Sequence, residues 1–188
     1  MEWAIPLQKL EVGKIQICEL QDNDKLLVPL AYFDGQNTFP YLNILLPKCK
    51  VHTFDPVSGK FVISLKENNV NQFEAKLNAL QTSLLNAVSM QQFVWFPNKD
   101  FSLENLQKMF KPIVEDDLLH LYFPTQFNND IHIYKNKVWH NKFIPGIIEK
   151  NDNVRIIFRI QGLSFHSYNR EWTGKFRLQH RILAILVE

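Results

Sequence analysis

Apolar and polar residues alternate along most of this chain, and the alternation changes period only where a helix is expected. Lys14–Leu20 alternates around Ile15, Ile17 and Leu20, and the polar Gln21–Asp24 follows as a turn. Leu26–Phe33 is a second apolar run, ended by Asp34-Gly35-Gln36-Asn37, and Phe39–Leu46 is a third, with Pro40 at its start and Pro47 after it. Cys49–Phe54 and Lys60–Leu65 flank the turn Asp55–Gly59. From Val70 to Val88 the spacing switches. Val70, Phe73, Leu77, Leu80, Leu84 and Val88 form a stripe at three- and four-residue intervals, the mark of an amphipathic helix that Asn69 or Asn71 would cap. A shorter helix is expected from Ser102, with Phe101 and Leu106 at staple spacing and Pro112 as its stop. Strand patterns return at Leu118–Phe123 and Ile131–Tyr134, the latter followed by the turn Lys135-Asn136-Lys137. The loop Glu149–Asn153 then leads into two long strands from Val154 to the C-terminus.

This order predicts a mainly β chain with helices. One domain over residues 1–188 is expected: an OB-like Greek-key barrel, with the long helix after the third barrel strand. Residues from about Met90 to Asn153 would be a mixed insertion ahead of the closing hairpin. A β-sandwich with helical decoration is the competing arrangement. The last run, Leu183–Val187, is apolar on both faces, so it belongs in the middle of a sheet or against a second copy of the chain.

The closing hairpin carries the sharpest signal. On its first arm Val154, Ile156, Phe158 and Ile160 share one face, and Arg155, Ile157, Arg159 and Gln161 share the other. On its second arm Trp172, Gly174, Phe176, Leu178, His180 and Ile182 oppose Thr173, Lys175, Arg177, Gln179 and Arg181. Five cations therefore gather on one face with no carboxylate among them. Like charges across a sheet destabilise it unless an anion is present. Such a face suits the phosphates of a single strand, and nearby aromatics suit its bases. Trp172, Tyr168, Phe165 and Trp139 are the candidate stackers, and Lys135 and Lys137 would extend the basic track. A phosphorylated or acidic protein partner, or a plain solvated face, would use the same residues.

Composition changes this picture little. The chain is 46% hydrophobic with 15 Phe, which excludes wholesale disorder. Its 21 basic and 19 acidic residues nearly cancel, so the distribution of charge matters more than the sum. The densest acidic run is Glu115-Asp116-Asp117. Cys18 and Cys49 both sit in apolar runs and are expected as reduced core thiols. No signal peptide pattern and no apolar run long enough to span a bilayer is present, so a soluble, intracellular protein is expected. There is no P-loop, no dinucleotide fingerprint and no zinc spacing among the six histidines, so neither an enzyme nor a cofactor is expected.

Three segments carry a family resemblance: PYLNILLPKCKV (Pro40–Val51), GKFVISL (Gly59–Leu65) ahead of the long helix, and VRIIFRIQGLSFHSYNREWTGKFRLQHRIL. In this order the chain resembles the OB-fold single-stranded-DNA-binding proteins of nucleocytoplasmic large DNA viruses. Leu46 stands where the family's "TPK" segment would have threonine. The resemblance implies sequence-tolerant binding of single-stranded DNA, ahead of RNA, in viral replication, repair or recombination within the host cytoplasm or nucleus. It implies no catalytic residue. An interaction or scaffold module of a viral replication or assembly complex is the alternative.

Overall fold

The computed structural model describes residues 3–66, 71–123 and 131–188. Short strands occupy the N-terminal third: β1 (Ile5–Pro6), β2 (Ile15–Ile17), β3 (Gln21–Asp22), β4 (Leu26–Phe33), β5 (Thr38–Phe39) and β6 (Leu42–Leu45). β7 (Cys49–Asp55) and β8 (Lys60–Ser64) follow, then the helices α1 (Asn71–Trp95) and α2 (Leu103–Met109). Five further short strands are β9 (Phe110–Lys111), β10 (Val114–Glu115), β11 (Leu118–Tyr122), β12 (His132–Lys135) and β13 (Val138–His140). The long arms β14 (Asn153–Tyr168) and β15 (Glu171–Val187) complete the chain. The described residues are thus mainly β with two α-helices, as the periodicity predicts.

The strands join in one sheet whose main path runs β10-β11-β8-β7-β14-β15-β12-β13. β14 is its spine. One edge of β14 pairs with β15 along nearly the whole hairpin, and the other meets β7, β6 and β4 in succession, all antiparallel. β15 is flanked on its far side by β9 and β12, both parallel to it. Between those two ladders β11 approaches β15, and the backbone N–H of Tyr122 donates to His180 Nε2 at 2.9 Å. The segment 90–153, expected as an insertion, therefore threads into the sheet through β9, β11 and β12.

Two-residue hairpins set several of these registers. Asp116-Asp117, Asn136-Lys137 and Asn169-Arg170 all have positive φ, the geometry of type I′ turns, whose twist matches that of the flanking strands. The acidic run read from the sequence is thus the tip of the β10–β11 hairpin, and Asp117 pairs with Lys66 at 3.4 Å.

α1 is longer than its stripe predicts. Its buried apolar residues are Phe73, Leu77, Leu80, Leu84, Leu85 and Val88, and its last turns expose Met90, Phe93 and Val94. Val70 and the expected cap Asn69 lie outside the described residues. Burying a Leu or Phe of this kind contributes roughly 1.5–3 kcal/mol. α2 begins as expected, with the Ser102 hydroxyl accepting from the Asn105 N–H at 3.2 Å. Gln81 ties the two halves of the chain together. Its buried Oε1 accepts from the N–H groups of Ile113 and Val114 at 2.7 and 3.2 Å, which holds the segment after β9 against α1.

One expectation needs correction. Cys18 is exposed, because β2 is short and ends before it, whereas Cys49 is buried and its thiol is pushed up to about 12 by burial. The C-terminal run lies in the middle of the sheet between β14 and β12, one of its two expected placements, with Ile185 and Val187 buried and Leu183, Ala184 and Leu186 half-buried. No helix among the described residues is long and apolar enough to cross a membrane.

Candidate functional site

The hairpin faces follow the alternation for most of their length. Val154, Ile156, Phe158, Ile160, Trp172, Phe176, Leu178 and Ile182 are buried, and Lys175 and Arg177 are exposed on the outer face. The outer face is not uniformly open, however. Arg155 pairs with Glu188 at 3.0 Å, and Glu188 also holds Lys48 at 2.7 Å; the two cations keep its carboxyl below the usual range. Arg159 sits directly across from Arg181. Its guanidinium lies 4.1 Å from the centre of the Tyr41 ring and donates to Asn43 Oδ1 at 2.9 Å, so protein groups engage it. Gln179 donates to Gln161 at 2.8 Å and ties the two arms together. The expectation of five uncompensated cations is thus corrected: a carboxylate the pattern could not place, at the chain's last residue, neutralises one end.

Two candidate stackers fail for a clear reason. Trp172 is 1% exposed and Phe165 2%. Their rings pack 5.1 Å apart among Phe96, Phe101 and Phe176, and the Trp172 indole donates to the Lys175 carbonyl at 3.0 Å. Phe165 is inside because the ladder slips between Ile160 and Gly162, which exchanges the faces for the rest of the arm. Tyr168, at the hairpin tip, is 73% exposed and Trp139 61%. Trp139 lies on the edge strand β13, away from the cations of the hairpin's turn end. Lys137 is exposed in its turn, while Lys135 pairs with Asp152 at 3.4 Å.

The open cations are joined by others from outside the hairpin. β9 runs parallel to β15 with Lys111 in register with Arg177. Those two residues line both of two adjoining clefts. The first, of about 520 Å³, is bounded also by Lys60, His120, Tyr122 and His180, with Glu115 its one acid among the described residues. The second, of similar volume, is bounded by Lys108, Lys175, Ser164 and His166. Lys60, Lys111, Arg177, Lys175 and Lys108 therefore form a basic track along the outside of β8, β11, β9 and β15. Among the described residues no carboxylate lies within ion-pair distance of Lys111, Lys175 or Arg177, and Lys108 pairs with Glu104 at 2.6 Å. Tyr122 is 54% exposed and supplies an aromatic ring at the first cleft.

His180 belongs to the wall of this cleft rather than to its chemistry. Burial draws its pKa down to about 4, with Arg177 acting in the same sense and the Leu178 carbonyl opposing. The neutral ring is what the Tyr122 N–H needs as an acceptor. Sequence reasoning missed Lys60, Lys108, Lys111 and Tyr122, since they reach the site from four separate elements, β8, α2, β9 and β11. Their only local signal was the basic Lys108–Lys111 pair at the end of α2. Among the described residues, no three His, Cys, Asp or Glu side chains are grouped as a metal site.

Comparison with known proteins leaves the site to its own geometry: no family model, no curated protein and no solved structure matches the chain.

Proposed function

We propose that this chain binds single-stranded nucleic acid, without marked sequence preference, in the basic track centred on Lys111 and Arg177. The observation that carries the reading is their pairing: two cations in register on neighbouring strands, shared by two clefts and lacking a carboxylate partner among the described residues. A polyanion supplies the missing countercharge, and the open aromatic Tyr122 gives a base a surface to stack on. A duplex would meet the phosphate contacts but would keep its bases from the ring. Nothing in the track reads base edges as a recognition helix would, so the binding is sequence-tolerant.

The topology supports an OB-like reading. β7, β8 and β11 form an antiparallel meander, and β14 and β15 return as a hairpin whose first arm pairs with β7. β11 and β15 then run parallel, joined by the Tyr122–His180 hydrogen bond, in the manner of a partly open five-stranded Greek-key barrel. In this count the cleft lies over the second and third strands, the face on which OB-folds take oligonucleotides. α1 departs from the expected position, lying between the second and third of these strands. A role in viral DNA replication, repair or recombination rests on the segment resemblance alone.

The test is fluorescence anisotropy with labelled oligo-dT and with a duplex of equal length. The wild type should bind the single strand more tightly, and Lys111→Glu with Arg177→Glu should abolish binding while leaving the circular dichroism spectrum unchanged. Retained affinity in that double variant would overturn the assignment.

A further inference from the structure

At the opposite end of β15 from the basic track, the β12–β13 hairpin presents an aromatic cluster that the packing of the core does not use. The Trp139 ring stands 4.9 Å from Tyr134 and 6.3 Å from His132, and it is 61% exposed. Ile133 is buried, so His132 and Tyr134 point to the outer face, and antiparallel pairing places Trp139 with Tyr134 on that face. The parallel ladder of β12 with β15 then sets His132 beside Ala184 and Tyr134 beside Leu186. Ala184 and Leu186 share the outer face with Arg177 and Arg181, because the irregularity between Ile182 and Ala184 shifts the alternation by one residue.

The cluster is thus continuous with the track along one strand. From Arg177 to Leu186 β15 advances about 30 Å, with the Arg159–Arg181 pair in register between the two ends. The local charge favours an anion. From Ile131 to Ile148 the chain has three lysines and no Asp or Glu, and Lys137 and Lys142 are exposed. An exposed tryptophan flanked by Tyr and His, on a hairpin bearing lysines alone, fits an unpaired base with its phosphate. A solvated sheet edge needs no such ring.

We infer that Trp139, backed by Tyr134 and His132, is a second stacking subsite for the same strand, so that one chain occludes the span from Lys111–Arg177 to the β12–β13 hairpin. This inference rests on the nucleic-acid reading of the basic track. It gives a footprint within the roughly 4–16 nucleotides typical of a single OB-like module. Oligonucleotides too short to span the distance engage the track alone, and longer ones reach both.

The experiment compares oligo-dT of four and of twelve nucleotides on wild type, Trp139→Ala, Trp139→Phe and the Lys111→Glu/Arg177→Glu variant. Stacking of one base predicts that Trp139→Ala weakens the twelve-mer about tenfold or more. Its affinity for the four-mer stays unchanged, and Trp139→Phe retains most of the twelve-mer affinity. The exposed position of Trp139 leaves folding intact, which the thermal melt of each variant verifies. Equal twelve-mer affinity in Trp139→Ala and wild type overturns the subsite while the track reading stands, provided the double variant loses binding. Wild-type protein that binds neither oligonucleotide overturns both. Binding of phosphatidylserine vesicles that depends on Trp139, with no effect of Trp139 on the twelve-mer, assigns the hairpin to a membrane surface and also overturns the subsite.

Discussion

The N–H of Tyr122 on β11 donates to Nε2 of His180 on β15, at 2.9 Å, across a seam that no backbone ladder closes. The bond requires a neutral imidazole, and burial holds the folded-state pKa near 4, below the ordinary 6.5. The unfolded chain therefore binds the additional proton between pH 6.5 and 4, so folding stability falls as pH drops through that window. The contribution is fully present above pH 6.5 and amounts to at most about 3 kcal/mol. Urea unfolding at pH 7.5, 6.0 and 5.0 should show the midpoint decreasing in wild type and decreasing less in His180→Gln. Equal slopes would remove His180 from the account.

Gln81 fixes the position of the segment that carries Lys111. Replacing it by Leu leaves the N–H groups of Ile113 and Val114 buried without an acceptor. A loss of about 2 kcal/mol or more is expected in urea unfolding, since each orphaned buried donor costs about 1–3 kcal/mol. Oligo-dT affinity should fall as well, because Lys111 loses its register beside Arg177. Gln81→Glu keeps an acceptor and should be milder on both readouts.

Gly162 sits where β14 passes from β6 to β4. A Cβ there would collide with the Val28 carbonyl oxygen and come within 2.9 Å of Pro29 Cα, both of them backbone. Gly162→Ala should therefore destabilise by about 2 kcal/mol, in the range for overpacking a site that cannot yield. A thermal melt close to that of wild type would mean that the β4–β14 ladder relaxes more easily than its geometry indicates.

The arginines of the hairpin are not equivalent. Arg155 is held by Glu188 and Arg159 by Asn43 and Tyr41, whereas Arg177 faces the clefts. Arg177→Ala should weaken oligo-dT binding several-fold, and Arg155→Ala should change it less than twofold, in anisotropy titrations at one fixed salt concentration. The reverse order would move the site to the other end of the hairpin.

Much of this fold is legible in the sequence because period-two alternation is a direct image of burial. Leu26–Phe33 is found with the predicted bounds, and the core face of the closing hairpin is correct through Ile160 and again from Trp172 to Leu178. The failures have one physical origin each. Phe165 changes faces because a register slip at Gly162 leaves no trace in an alternation of residue types. The pairing of Arg155 with Glu188 and the gathering of Lys60, Lys108 and Lys111 around Arg177 depend on contacts between distant segments, which no local pattern encodes. The positive hairpin was therefore visible, but which of its charges stay open was not.

The central claim is that this track meets a phosphate backbone, and the salt dependence of oligo-dT affinity measures it most directly. Three to five neutralised phosphates predict a slope of log K against log salt of roughly −2 to −3.5 for a single strand. The Lys111→Glu/Arg177→Glu variant should lose binding at low salt. No oligo-dT binding by wild type at low salt, or an affinity that salt and this double substitution leave unchanged, would contradict the account.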